Sequence, residues 1–186
     1  RDQLGRLLEL GDRLRGRHPE LRLHAANSAA TLRGEEFHLD AVRCGIAIYG
    51  LDPFGSDPSG HGLEPALSLH SYVADVKRFA AGDSAGYGRT WTAPEATEVG
   101  VVPLGYGDGY RRGLSNSCEA LVGGRRVPVV GTISMDNTTV DLGSGSGVEA
   151  GAPAVLIGTQ GDERIGAEEL AASLGTINYE IVTAIS

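Results

Sequence analysis

The sequence predicts an α/β piece followed by a mainly-β domain. Three observations carry this expectation. Up to Gly50, helical and strand patterns alternate in the order α, β, α, β, the signature of a parallel sheet. From Ala66 onward, period-two alternation dominates. Between the two, Leu51 to Pro65 is rich in Pro, Gly, Ser and Asp and reads as a linker. The expected division is 1–53 for the α/β piece, 54–65 for the linker and 66–186 for the β-rich domain. Two parallel strands cannot close a sheet or bury both of its faces. The first piece therefore completes something larger, or the chain is a fragment.

Taken in order, Leu4, Leu7, Leu8, Leu10 and Leu14 recur at helical spacing, and His18-Pro19-Glu20 ends that helix. Leu21 to Ala26 reads as a short strand, and Asn27 to Thr31 as a strand end running into a helical turn. Ser28 is a cap candidate there, and the same geometry leaves backbone N–H groups suited to a phosphate. Val42 to Gly50 reads as a buried strand, apolar and β-branched. Arg43 does not fit that pattern, because burying an unpaired guanidinium is costly. It points to an anion or polar ligand at the strand end, or to an ion pair with Asp40. Gly45 leaves room for a group to approach the backbone.

In the β-rich part, Leu67 to Val76 reads as one strand, with Lys77-Arg78 continuing its polar phase and Ala80 to Asp83 turning. Tyr87 lies between Gly86 and Gly88, with little local cover for its ring. Glu98 to Leu104 is a strand, followed by a second glycine-flanked tyrosine, Tyr106. Ala120 to Val122, Gly123-Gly124 and Arg126 to Val130 make a hairpin. Gly131 to Val140 reads as a strand that carries Met135, the single methionine, beside Asp136. Ala154 to Gly158 is a strand, Ile165 to Leu174 a short helix starting weakly at Gly166, and Ile181 to Ile185 a last strand.

Composition bounds the function. Of 186 residues, 41% are hydrophobic and 22% charged, as in an ordinary soluble globular chain. A net charge of −8 argues against nucleic acid as a partner. No apolar run approaches membrane-spanning length, and no secretory n- and h-region opens the sequence. The two cysteines, Cys44 and Cys118, make neither a disulfide framework nor metal-ligand spacing, so a reducing cytoplasm is expected and no metal. Basic residues are almost all Arg; Lys77 is the only lysine.

The motifs occur in a telling order: His24-Ala25-Ala26-Asn27-Ser28-Ala29-Ala30, the run Val42 to Gly50, Gly86-Tyr87-Gly88, Gly105-Tyr106-Gly107-Asp108-Gly109, Ser134-Met135-Asp136 and Ile177-Asn178-Tyr179-Glu180. This set closely resembles alanine racemase, an isomerase that uses pyridoxal 5′-phosphate (PLP), over nearly the whole chain but only over the C-terminal half of that enzyme. The resemblance implies a fold: the last part of a (β/α)8 PLP-binding barrel, then the mainly-β C-terminal domain. It implies that Ser28, the backbone N–H groups of Gly45 and Ile46, and Tyr179 hold the cofactor phosphate, and that Arg43 faces the pyridine nitrogen. A permanent cation there disfavours ring protonation and keeps the ring a weaker electron sink.

The same resemblance implies Tyr87 as one of two catalytic bases. A free phenol titrates near 10, so it needs nearby positive charge to act as a base at neutral pH. Tyr106, Met135 and Asp136 match residues that line the entrance and place substrate from the partner subunit of a homodimer. The implied activity is L-/D-alanine interconversion, supplying D-alanine for peptidoglycan in the bacterial cytoplasm. The other base in the family is the Schiff-base lysine, and Lys77 lies in the wrong place to match it. The chain alone is therefore expected to be inactive. A broader-specificity racemase, a PLP decarboxylase of the same layout, or a non-enzymatic oligomerisation module are the alternatives. Singly, each residue also has a plain structural reading: Tyr87 and Tyr106 as turn tyrosines, Met135 as core filler, Asp136 as a turn or cap residue.

Overall fold

In the computed structural model, which describes residues 2–185, the chain separates into two units, Arg1–Ala66 and Leu67–Ser186. In the first unit, α1 (Asp2–Arg15) precedes β1 (His24–Asn27), α2 (Ser28–Arg33) and β2 (Ala41–Arg43). β1 and β2 pair in parallel, with His24 opposite Ala41 and Asn27 opposite Arg43. Asp40 ties these elements together. Its carboxylate accepts from the Leu23 N–H at 2.7 Å and pairs with the Arg15 guanidinium. The Leu23 N–H, assisted by Arg15, holds the Asp40 carboxyl below its ordinary value. Asp40 thus belongs to Arg15 and not to Arg43.

The expected buried strand from Val42 to Gly50 is not continuous. β2 stops at Arg43 with all three residues exposed, and Ile46–Tyr49 winds into a 3-10 turn. Gly45 makes the break with φ −111° and ψ −89°. A short apolar run cannot be told from a helical turn by periodicity, and here a turn forms in which Ile46 alone is buried while Ile48 and Tyr49 face solvent. Gly50 follows at φ +72°, where a Cβ would stand 1.6 Å from the Glu64 carbonyl oxygen. The segment from Leu51 to Pro65 folds back against this point. Leu51, Asp52 and Pro58 are buried, Pro58–His61 forms a 3-10 turn, and the Ala66 N–H donates to the Tyr49 carbonyl at 3.0 Å.

The second unit is built from β3 (Leu69–Tyr72), β4 (Asp75–Phe79), β5 (Ser84–Ala85), β6 (Trp91–Thr92), β7 (Thr97–Val102), β8 (Glu119–Val122), β9 (Arg125–Pro128), β10 (Thr138–Asp141), β11 (Pro153–Gln160) and β12 (Glu163–Ile165). Two helices follow, α3 (Ala167–Leu174) and α4 (Asn178–Val182). One sheet has the order β10-β7-β4. Another runs β12-β11-β8-β9 with β3 also on β11, and β5-β6 forms a small ribbon. All of these pairings are antiparallel.

Three expectations change here. The single strand from Leu67 to Val76 is two strands in two sheets. The switch falls at Val73, whose N–H and C=O bond Ala152 (2.8 Å) and Gly151 (2.7 Å), while the next N–H, of Ala74, bonds Val101 (2.7 Å). A buried valine thus carries the chain across the core, as strands that change sheets do at a corner. The expected strand from Gly131 to Val140 is strand only from Thr138. The expected last strand, Ile181 to Ile185, does not form: Ile181 and Val182 close helix α4, whose Asn178 and Ile181 are buried. Tertiary burial there overrides the β preference of Ile181 and Val182. The core is apolar and continuous, with Leu121, Val122, Val140, Leu142, Leu156 and Ile165 all but inaccessible.

Candidate active site

In the first unit the α2 start and the 3-10 turn after β2 are joined through one hydroxyl. Asn27, not Ser28, caps α2, its Oδ1 accepting from the Ala30 N–H at 3.0 Å. Ser28 is thereby released to face across. Its buried Oγ accepts the N–H of Gly45 at 2.9 Å and of Ala47 at 3.3 Å. Having accepted two bonds, the hydroxyl still has its own proton to donate. Among the described residues no hydrogen bond uses the N–H of buried Ile46. A Cβ built on Gly45 would meet nothing within 4 Å, so space lies open above this backbone. Ser28, Gly45 and Ile46 are therefore brought together: the Gly45 N–H is taken by Ser28, and the Ser28 hydroxyl and the Ile46 N–H are left as donors that fit a phosphate oxygen. Arg43 reaches the Ala25 carbonyl at 3.3 Å and makes no ion pair among the described residues.

In the second unit the segment 131–137 gathers both glycine-flanked tyrosines. On one side, Gly86 at φ +75° lies so close that a Cβ there would stand 2.8 Å from the Thr132 nitrogen. A Cβ on Gly131 at φ +73° would stand 2.7 Å from the Ala85 carbonyl oxygen. The Thr132 hydroxyl donates to the Tyr87 carbonyl at 2.8 Å. On the other side, Gly105 abuts the Ser134 and Met135 carbonyls, which accept from the Tyr106 N–H (3.0 Å) and the Gly107 N–H (2.8 Å).

The segment's own tip is closed by Ser134, whose Oγ donates to the Asn137 carbonyl (3.0 Å) and accepts its N–H (2.9 Å). That closure is why this stretch is a loop and not a strand. It turns Met135 and Asp136 outward to solvent. Tyr87 is 74% exposed and Met135 54%, whereas Tyr110 is 1% exposed with its phenol on the Cys118 sulfur at 3.2 Å. Tyr110 is thus core, and Tyr87 is not. Burial pushes the Cys118 thiol up to about 11. A depression of about 330 Å³ lies beside the Tyr87 backbone, lined by Gly86, Tyr87, Thr132, Ser134, Asn137 and Thr139.

Tyr179 is presented from α4, which packs on the loop after Tyr106. A Cβ on Gly109 would stand 2.0 Å from the Ala184 carbonyl oxygen, and the Arg111 guanidinium donates to the Glu180 carbonyl at 3.4 Å. Lys77 lies on exposed β4 beside Asp75, at 3.6 Å. Sequence reading passed over Thr132, Thr90 and Asn116, which hold the Tyr87 loop. Being small, polar and remote in sequence, they carry no pattern that singles them out.

Comparison with known proteins bears on both units. Residues 66–186 match the family model described as alanine racemase, C-terminal domain, and residues 1–53 that of alanine racemase, N-terminal domain. Alanine racemase of Cutibacterium acnes is 49% identical over 164 residues, which is 88% of this chain and 44% of that protein. The solved alanine racemase of Streptomyces coelicolor A3(2) superposes with a TM-score of 0.88 at 42% identity, covering 99% of this chain and 49% of that one. Alanine racemase from Bartonella henselae, solved with covalently bound pyridoxal phosphate, superposes at 0.79 and 30% identity over 89% of this chain and 45% of its own. The chain spans about half the length of the relatives it matches. With the C-terminal model spanning well over half of its residues and both of its units matched in order, the chain belongs to the alanine racemase family.

Proposed function

We propose that the whole protein interconverts L- and D-alanine with pyridoxal 5′-phosphate, and that Tyr87 carries the proton on one face of the α-carbon. The single observation that supports this most is the Tyr87 phenol, held out to solvent from a loop pinned by close glycine contacts. When bound, the cofactor supplies the electron withdrawal that acidifies the α-C–H bond. The chain's residues do the rest. The Ser28 hydroxyl and the Ile46 N–H, over the open backbone of Gly45, hold the phosphate. Arg43, as a permanent cation, keeps the pyridine nitrogen unprotonated. Tyr106, Met135 and Asp136 line the entrance and place the amino acid.

We infer further that the protein is a homodimer whose sites draw on both subunits, working in the cytoplasm to supply D-alanine for peptidoglycan. The 186-residue chain alone does not racemise, because Lys77, its only lysine, sits on exposed β4. No helix among the described residues is long and apolar enough to cross a membrane.

The test is racemisation by the PLP-loaded whole protein. Tyr87→Phe should lower kcat by roughly 10²- to 10⁴-fold, the usual worth of a positioned proton carrier. Tyr72→Phe, removing an exposed hydroxyl of β3, should stay within about twofold of the native rate. Equal small effects would remove Tyr87 from the mechanism. Sustained turnover by the 186-residue chain alone would refute the assignment of the second base to residues outside it.

A further inference from the structure

Tyr87 sits in a stretch of left-handed backbone. Gly86 and Gly88, on either side of it, lie at φ +75° and +72°, and Arg89, the next residue, is at φ +49°. Left-handed glycines carry little preference for one conformation, and a left-handed arginine is disfavoured outright. Such a conformation holds a phenol in one place only where contacts beyond these residues over-determine it. Something outside the loop has to hold it.

The structure supplies a chain of four hydrogen bonds. The Asn116 Oδ1 accepts the Gly131 N–H at 2.6 Å, which fixes the amide so that Nδ2 faces Thr90 Oγ1, to which it donates at 3.0 Å. Thr90 Oγ1 lies 3.2 Å from Thr132 Oγ1, and Thr132 Oγ1 donates to the Tyr87 carbonyl at 2.8 Å. The direction of every bond follows from counting protons. Thr132 spends its one O–H on Tyr87, so Thr90 must donate to Thr132 and accept from Asn116. Each donor points the same way along the chain, and bonds aligned like this polarise and reinforce one another.

Asn116 is itself held at φ +58°. Two of the three non-glycine residues with positive φ among those described, Arg89 and Asn116, therefore adjoin or begin this chain. Asparagine adopts this conformation readily, whereas for Arg89 it is strained, and such strain persists where surrounding bonds over-determine it. Neither Thr90 nor Asn116 is core, so burial does not account for the arrangement.

We propose that Asn116, Thr90 and Thr132 form a directional tether that positions the Tyr87 phenol, and that they are positioning residues for its proton transfer. This rests on the role given to Tyr87 above. The tether acts through the Tyr87 backbone and leaves the phenol itself unencumbered.

The experiment uses the PLP-loaded whole protein. Thr132→Val keeps the side chain's shape and removes the hydroxyl. It should lower kcat by about tenfold, because a misplacement of about 1 Å remote from the chemistry can cost up to 10², and leave KM within about twofold. Thr132→Ser, which keeps the hydroxyl, should restore kcat. In a Tyr87→Phe background Thr132→Val should add nothing further. Thr90→Val, at an exposed position, leaves the Thr132–Tyr87 bond but removes the acceptor of Asn116 and the donor to Thr132, and should lower kcat in the same direction by a smaller factor, which keeps the tether testable if Thr132→Val fails to fold.

Independently of turnover, 3-fluorotyrosine can be incorporated and the Tyr87 signal assigned by its loss in Tyr87→Phe. Its ¹⁹F line should narrow in Thr132→Val and Thr90→Val as the ring gains motion, and stay native in Thr132→Ser. Native kcat and an unchanged ¹⁹F line in both valine variants would overturn the tether. So would a tenfold loss that persists in the Tyr87→Phe background, since Thr132 would then act elsewhere. If instead Tyr87→Phe is itself fully active, the proposed role of Tyr87 fails, while the ¹⁹F comparison still decides whether the tether holds its ring.

Discussion

At the scale of single residues, the informative groups are those whose partners lie far away in sequence. The Glu98 carboxylate accepts the Ser146 hydroxyl at 2.7 Å and the Ser146 N–H at 3.0 Å. These two bonds, against the opposing effect of burial and with a contribution from Arg78, hold its carboxyl below the ordinary value. A carboxylate depressed in the folded state contributes stability above its unfolded value and loses it as pH falls through the folded one. Glu98→Gln should therefore lower the melting temperature at pH 7, and the gap to the native protein should close as the pH drops below the ordinary carboxylate range. A gap that stays constant into acid would mean that the charge is not what Ser146 stabilises.

Legibility at this scale was uneven. Tyr87 and Tyr106 could be singled out because glycines on both sides leave a ring without local cover, and both rings are solvent-facing. Arg43 could be singled out as a cation in an apolar run, but its surroundings could not. Its strand is exposed and its neighbour Asp40 is taken by Arg15. Ser28 was readable as a helix-start serine, yet Asn27 does the capping, and the Ser28 oxygen turns to Gly45 and Ala47, seventeen and nineteen residues on.

At the scale of elements, close backbone approach decides what the loops do. Gly131 and Gly123 share the left-handed conformation, φ +73° and +64°, but only Gly131 is crowded, since a Cβ added there would meet the Ala85 carbonyl oxygen at 2.7 Å. Alanine at Gly123 should cost only the conformational penalty, about 1–2 kcal/mol. Alanine at Gly131 should cost that plus the clash, giving a melting temperature at least about 2 °C lower than Gly123→Ala. Equal melting temperatures would mean that the 85–86 and 131–132 loops separate at little cost.

The hairpin of β8 and β9 was legible from its Gly-Gly turn. The split between β3 and β4 was not, because alternation continues unbroken through Val73 while its hydrogen bonds change sheets. The helix over Asn178–Val182 takes in the start of the strand expected over Ile181–Ile185 for a related reason: Ile181 and Val182 favour strands, but burial of Asn178 and Ile181 selects the helix.

At the scale of the whole molecule, the two units differ in how much they bury. Among the described residues, five apolar side chains of the first unit are buried, Leu23, Ala26, Ile46, Leu51 and Pro58, whereas the second unit has a far larger apolar core. Local opening tracks buried apolar contact. In the 186-residue chain, amides of β1 and β2 should therefore exchange with solvent well before those of β8 and β11, as read by hydrogen exchange with mass spectrometry. Equal protection would show that the first unit is held by more than its own core.

By itself the sequence determined the passage from α/β to β and the family, because both rest on patterns that are local and ordered along the chain. Only the tertiary structure decided which apolar runs are strand and which are turn, which tyrosine faces solvent, and which small polar side chains reach the Tyr87 loop. Those outcomes depend on partners brought from tens of residues away, and neither periodicity nor composition records who those partners are.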